Sequence, residues 1–251
     1  MSVKRNKIVK FCEDYLKVKD FEDYCVNGLQ VEGKEDIKQI VTGVSFSQKL
    51  IREAIKKKAD MIVVHHGIFD KNLPSPFALR GAWKNRLKLL LENDINLCGF
   101  HLPLDAHGEI GNNILLGRLL KLRNIKKFDI FDIGVIGDLP SKINLNDLVK
   151  KIDSGLKTKS FVTKGGKAEV KKIGIIAGSY PGYELASEMG ADVYLTGEPR
   201  ESNIRASEEV GINVIYAGHY NTEKMGIQNL GNLISKKFNV KVDFVDVPCD
   251  V

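Results

Sequence analysis

The segment Met61-Ile62-Val63-Val64-His65-His66-Gly67 governs how the rest of the chain is read. An apolar run containing two β-branched valines ends in two histidines and a glycine, which predicts a short strand buried on both faces. Open α/β sheets bind ligands at the carboxyl ends of their strands, where these histidines stand. Successive strand side chains point to opposite faces. The two rings would therefore diverge, unless a turn begun at Gly67 swings both into one cleft, each serving a different ion.

Upstream, residues 3–18 carry apolar positions at helical spacing, and Asn27-Gly28-Leu29-Gln30 predicts a turn into a short extended piece. Residues 37–44 predict a strand, with Ser47 as the N-cap of a helix over 48–58. Downstream, Asn72-Leu73-Pro74-Ser75-Pro76 reads either as a flap over the histidines or as a plain connector. A helix over 79–93 and a strand over 95–100 then deliver His101-Leu102-Pro103-Leu104-Asp105-Ala106-His107. A further helix opens at Gly111-Asn112-Asn113. The charged stretch 121–127 is the candidate boundary, giving 1–127 plus 217–251 as one lobe and 128–216 as a second.

From residue 170 the pattern returns. Ala59-Asp60 ahead of the histidine strand matches Ala191-Asp192 ahead of Val193-Tyr194-Leu195-Thr196-Gly197-Glu198. Ile95-Asn96-Leu97 leads to His101-x-x-x-Asp105, and Ile212-Asn213-Val214 leads to His219-x-x-x-Glu223. A duplicated β-α-β-α-β unit is expected, in an α/β fold of two lobes. Its sheets should be mainly parallel and covered by helices on both faces. A helix over 224–235 and a strand over 240–247 close the chain.

At 251 residues, with 43% hydrophobic and 28% charged residues, the composition is that of an ordinary globular protein. No apolar run reaches the roughly 18 residues a membrane helix needs, and no apolar signal segment follows the basic N-terminus. An intracellular, cytoplasmic protein without a membrane partner is expected. Cys12, Cys25, Cys98 and Cys249 are scattered, which suits free thiols better than a thiolate zinc site. The net charge of +6 favours an anionic partner, either a phosphorylated small molecule such as a nucleotide or a nucleic acid. Lys56-Lys57-Lys58 and Lys126-Lys127 are not interleaved with aromatics, which weakens single-strand stacking.

His65, His66, Asp105, His219 and Glu223 together form an imidazole–carboxylate donor set, suited to zinc, iron or manganese rather than calcium. Five donors exceed one tetrahedral structural zinc and suit two divalent ions per chain. Asp105 and Glu223 have a second reading as first-turn helix acids, against which their repetition after histidine weighs. His101 reads equally as a neighbour of the ligands, a substrate contact or a core residue, and His107 as a surface residue. Glu198 is a candidate proton-transfer group or, before Pro199, a helix N-terminal acid; His101 is the reserve candidate for the proton step.

His65-His66-Gly67, His101-x-x-x-Asp105-Ala106, Thr196-Gly197-Glu198 and Gly218-His219-Tyr220-x-Thr222-Glu223 resemble the GTP cyclohydrolase 1 type 2 family, the dinuclear-metal proteins related to the yeast NGG-interacting factor. The resemblance implies two interlocked lobes with the metal pair between them, in a homohexameric ring. It assigns His65, Asp105 and Glu223 to one ion and His66, His219 and Glu223 to the other, Glu223 bridging. It implies hydrolytic opening of a purine nucleotide ring, C8 leaving as formate. Two other classes remain: a ring-shaped nucleic-acid-binding protein, and a non-catalytic metal-binding adaptor.

Overall fold

The structure, a computed structural model, describes residues 2–69, 78–129 and 132–249. The predicted flap 72–76 lies outside the described residues. Two compact units are present, Met1–Leu104 with Gly226–Val247 and Asp105–Met225 with Pro248–Val251.

The first unit begins with β1 (Val3–Lys4), α1 (Arg5–Tyr15), β2 (Gly28–Val31) and β3 (Asp36–Ile37), and continues with β4 (Gln39–Ser45), α2 (Gln48–Lys56), β5 (Met61–His66), α3 (Gly81–Glu92) and β6 (Asn96–Gly99). The short helix α4 (Leu102–Ala106) carries the chain on to α5 (Asn112–Leu119), β7 (Arg123–Phe128), β8 (Gly134–Asn144), α6 (Leu145–Leu156) and β9 (Phe161–Lys164). Next come β10 (Glu169–Ile175), α7 (Tyr183–Glu188), β11 (Val193–Thr196), α8 (Glu201–Val210) and β12 (Asn213–Tyr216). Helix α9 (His219–Phe238) and β13 (Lys241–Phe244) close the fold.

In the first unit the sheet runs β13-β4-β5-β6-β2, parallel except for β2, which lies antiparallel on β6. Val41, Ile62, Val64 and Leu97 pack one face against Leu50, Ile51 and Ala54 of α2 and Leu90 of α3. On the other face, Gly231 of α9 lies against Thr42 and Val242. Ser47 caps α2 as expected, its hydroxyl accepting from the Leu50 N–H at 3.3 Å.

In the second unit the order is β7-β8-β10-β11-β12-β9. Only β10, β11 and β12 run parallel; β7, β8 and β9 are antiparallel to their neighbours. This sheet is therefore mixed rather than mainly parallel, because β8 follows β7 through a connection too short for a crossover. Alternation along β11 sends Val193 and Leu195 toward α6 residues Leu148, Ile152 and Leu156, and Tyr194 toward Ala186 of α7. Helices thus cover both faces. The charged stretch 121–127 falls largely within β7, paired to β8, and the division between units lies at Leu104/Asp105 and Met225/Gly226.

Each unit contains the same β-α-β-α-β motif, fastened by the same side chains. Asp60 accepts from the Lys38 and Gln39 N–H groups, and Asp192 from those of Lys171 and Lys172. Asn96 accepts from Gly33 N–H and donates to the Lys34 and Asp60 carbonyls; Asn213 accepts from Gly166 N–H and donates to the Lys167 and Asp192 carbonyls.

Candidate functional site

In the first unit β5 lies between β4 and β6, and each neighbour holds one histidine. His65 donates through Nδ1–H to the Phe100 carbonyl at 2.9 Å, beyond the end of β6. That carbonyl accepts only, so His65 Nε2 carries the lone pair. His66 Nδ1 meets Ser45 Oγ of β4 at 3.0 Å. The two rings do not diverge: their centroids are 4.6 Å apart. The turn that permits this is held by Gln30, whose carbonyl accepts from Ile68 N–H at 2.7 Å and whose amide donates to the Val26 carbonyl at 2.6 Å. A Cβ at Gly67 would lie 2.2 Å from the Gln30 amide oxygen, so only glycine lets the two meet.

His101 is the third imidazole of this set, its ring 5.1 Å from that of His65 and 5.6 Å from that of His66. Its Nδ1–H donates to Asp23 Oδ1 at 3.0 Å, and its Nε2 lies 3.3 Å from the Tyr24 hydroxyl. Asp23 also accepts from the Cys25 N–H, the Leu102 N–H and the Asn27 amide. Burial pushes this carboxyl up, but the hydrogen bond and charge of His101, then Asn27 and Cys25, hold it down at about 2. Asn27 completes the clamp by accepting from His101 N–H at 2.7 Å. His65, His66 and His101 each offer a ring nitrogen, all within 4.8 Å of one another, as do Asp23, Cys25 and His101 with theirs.

The second unit holds a carboxylate-rich set. Asp105 of α4 accepts from the Asn112 amide at 2.7 Å, the first residue of α5. His219 and Glu223 share one face of the first turns of α9, Nε2 to Oε2 at 3.1 Å. The other His219 nitrogen donates to Glu198 Oε1 at 2.6 Å. Burial lowers the His219 pKa, but Glu223 and then Glu198 outweigh it and raise it to about 9. Carboxylate oxygens of Asp105 and Glu223 lie within 4.8 Å of each other. Gly178, after β10 at φ +71°, supports the set: a Cβ there would lie 2.2 Å from Glu223 Oε1 and 3.1 Å from His219 Nε2. Its N–H donates to Thr222 Oγ, fixing this bare backbone against the donors.

His101-x-x-x-Asp105 and His219-x-x-x-Glu223 are not equivalent. Phe100 N–H donates to the Val64 carbonyl as Ala217 N–H donates to that of Thr196, so strand register matches His101 with Gly218 and Leu102 with His219. The one-residue offset explains why His101 turns to Asp23 and not to Asp105. His66 likewise matches Glu198. His107 is half-buried, its Nδ1 accepting from the Glu109 and Ile110 N–H groups. The four cysteines form no disulfide with one another, and burial lifts the Cys98 thiol to about 12, far from thiolate chemistry. No helix among the described residues is long and apolar enough to cross a membrane.

The donor chemistry fits a divalent transition metal. Two of the imidazoles, His65 and His101, are held through Nδ1–H, which in the neutral ring leaves Nε2 facing the cluster as a lone-pair donor, and glycine backbone clears space around a third histidine and its carboxylate. Buried and half-buried His/Asp/Glu clusters able to hold a metal ion are thus present. Sequence reading missed Asp23, Tyr24, Gln30, Ser45, Asn112 and Gly178, the residues that aim the donors. Of these Gln30 had a signal in Asn27-Gly28-Leu29-Gln30, and Asn112 one in the helix opening Gly111-Asn112-Asn113.

A Haemophilus influenzae protein named GTP cyclohydrolase 1 type 2 homolog is 44% identical over 229 residues, 90% of each chain. The solved structure of protein ybgI, described as of unknown function, superposes with a TM-score of 0.93 at 36% identity, covering 99% of this chain and 100% of that one. A crystal structure of a Thermus thermophilus protein gives a TM-score of 0.90 at 34% identity, covering 99% and 100%. With its sequence profile matching residues 3–250, the chain belongs to the Duf34/NIF3 (NGG1p interacting factor 3) family.

Proposed function

We propose that the chain is a dinuclear metal-dependent hydrolase that opens the ring of a purine nucleotide, a reading in keeping with relatives named GTP cyclohydrolase 1 type 2 homolog. The observation that supports it most is the division of labour between two preset donor sets. His65 and His66 supply two imidazoles, and Asp105, His219 and Glu223 supply the carboxylates and a third imidazole. In this reading His65, Asp105 and Glu223 hold one ion, and His66, His219 and Glu223 the other. A pair of zinc, iron or manganese ions so held would draw the pKa of a water down toward about 7 and offset negative charge developing on the attacked ring.

The chain's own residues do the rest. Glu198, engaged with His219 Nδ1, is a positioning residue that fixes the tautomer and ring plane. His101, held by Asp23 and bearing its acceptor nitrogen beside His65 and His66, is the group placed to move a proton to or from the substrate. The reading includes assembly of six copies, checked by light scattering.

Elemental analysis of the purified protein tests the metal assignment: two divalent ions per chain are expected, and a stoichiometry near zero after metal loading overturns it. Formate release from GTP, stopped by chelator and restored by metal, tests the reaction. Loaded protein that releases no formate would leave the metal site standing and discard this substrate.

A further inference from the structure

Tyr24 stands where the imidazole set of the first unit meets solvent. It is 50% exposed, and Val26 beside it is 49% exposed. Its ring lies edge-on to His101, centroids 5.0 Å apart at 62°. Asp23 accepts from His101 Nδ1–H, so in the neutral imidazole Nε2 is the acceptor and the Tyr24 hydroxyl its donor, at a long 3.3 Å. The backbone around Tyr24 is anchored on both sides. Asp23 gathers donors from Cys25, Asn27, Leu102 and His101, and Val26 N–H donates to the Phe69 carbonyl at 3.0 Å. A half-exposed aromatic on an anchored loop, beside a buried imidazole cluster, offers a flat apolar face at low cost in ordering.

We infer that Tyr24 is the recognition residue for a planar nitrogen heterocycle, which stacks on its ring and takes over the hydrogen bond to His101 Nε2. This rests on the proposed purine chemistry and adds to it the residue that reads the base. A purine has both features required: a π-face for Tyr24 and ring or exocyclic N–H donors for an acceptor nitrogen. A turn of the Tyr24 ring about its side-chain torsions carries the hydroxyl aside and leaves the His101 acceptor open to the edge of a base stacked on the phenol face. The sugar and phosphates play no part in this contact, so the base alone should carry it.

The test is equilibrium binding of guanosine to the metal-loaded protein, by calorimetry, for the wild type and for Tyr24→Phe, Tyr24→Leu and Tyr24→Ala. Phe keeps the π-face and loses the hydroxyl; Leu keeps apolar bulk and loses the π-face. Guanosine should bind Tyr24→Phe much as it binds the wild type, and bind Tyr24→Leu and Tyr24→Ala about ten-fold more weakly or worse. Equal affinity across the series, equal affinity of the Phe and Leu variants, or no guanosine binding by the wild type overturns the inference. Metal content, measured on the same samples, separates the two levels. A protein with its full metal complement and no Tyr24-dependent binding loses this inference alone, whereas Tyr24-dependent binding by a protein that takes up no metal would sink the metal assignment and leave Tyr24 in place.

Discussion

If His219 is a ligand as proposed, a proton and a metal ion compete there for one nitrogen. The Glu223 charge and the two carboxylate hydrogen bonds override burial and hold the imidazole at about 9 in the absence of metal. A ligand histidine must be neutral, so metal affinity is expected to climb with pH up to about 9 and then level off. Chelator-competition titrations across that range check it; a flat profile would remove His219 from the ligand set. In the metal-free protein the same raised pKa stabilises the fold fully below the ordinary histidine value of about 6.5, and that stability is lost as pH rises through about 9. Replacing Glu198 by Gln, which removes the charge behind the ring, should weaken metal binding about 10- to 100-fold. Asp23 has the opposite sign. Held at about 2, it stabilises the fold above the ordinary carboxylate value of about 3.9, an effect lost as pH falls through about 2. Asp23→Asn should cost about 2 kcal/mol in urea denaturation at neutral pH, the gap to wild type closing in acid. The five donors stand out in the sequence because they end apolar strands or start helices. Asp23 does not, because it lies in a polar stretch without periodicity and meets His101 only through the fold.

The duplication is a property of elements. Strand periodicity and the recurring Ala-Asp and Ile-Asn pairs reveal two copies, and the structure gives those pairs their reason: Asp60 with Asp192, and Asn96 with Asn213, tie each copy's entry strand and neighbouring turn to its central strands. Asn96 and Asn213 are fully buried, and each makes three hydrogen bonds to backbone groups. Cutting either to alanine strands those groups, and a loss of about 3 kcal/mol is expected for each. Chemical denaturation of the two variants checks it, and a loss under about 1 kcal/mol would show the asparagines to be decorative. Sequence patterns failed where the tertiary structure outweighs local preference. Helix α9 starts at His219, five residues before its periodicity declares it, because Thr222 of its first turn is bonded to Gly178 N–H and to the Gly218 carbonyl. Strand β8 runs on past Pro140 because the register against β10 shifts between Val170 and Lys172, where the missing N–H is tolerated. The one-residue offset between His101 and His219 was likewise hidden, since matching residue types mimicked a register that only ladder bonds define.

For the whole molecule, net charge and composition describe a field and a solubility but not a site, so the +6 balance admits an anionic metabolite and a nucleic acid alike. What separates a metal protein from a chain with an incidental cluster of histidines is how global stability responds to the ions. Ions that bind only the folded chain stabilise it by about 2.7 kcal/mol per site at a hundred-fold excess over Kd. For a chain of this size each kcal/mol corresponds to roughly 2–4 °C in Tm, so stripping even one site should lower the melting temperature by about 5–10 °C. Restoring zinc or manganese should recover it. The comparison that decides is between variants. His66→Ala and Glu223→Gln should shrink the metal-dependent shift, because they remove donors. Asn96→Ala should lower the melting temperature with and without metal by the same amount, because it loosens the sheet and leaves the donors alone. If chelator leaves the wild-type melt unmoved, or if Asn96→Ala erases the shift as fully as His66→Ala, ion binding is not built into this fold and the hydrolase reading falls with it.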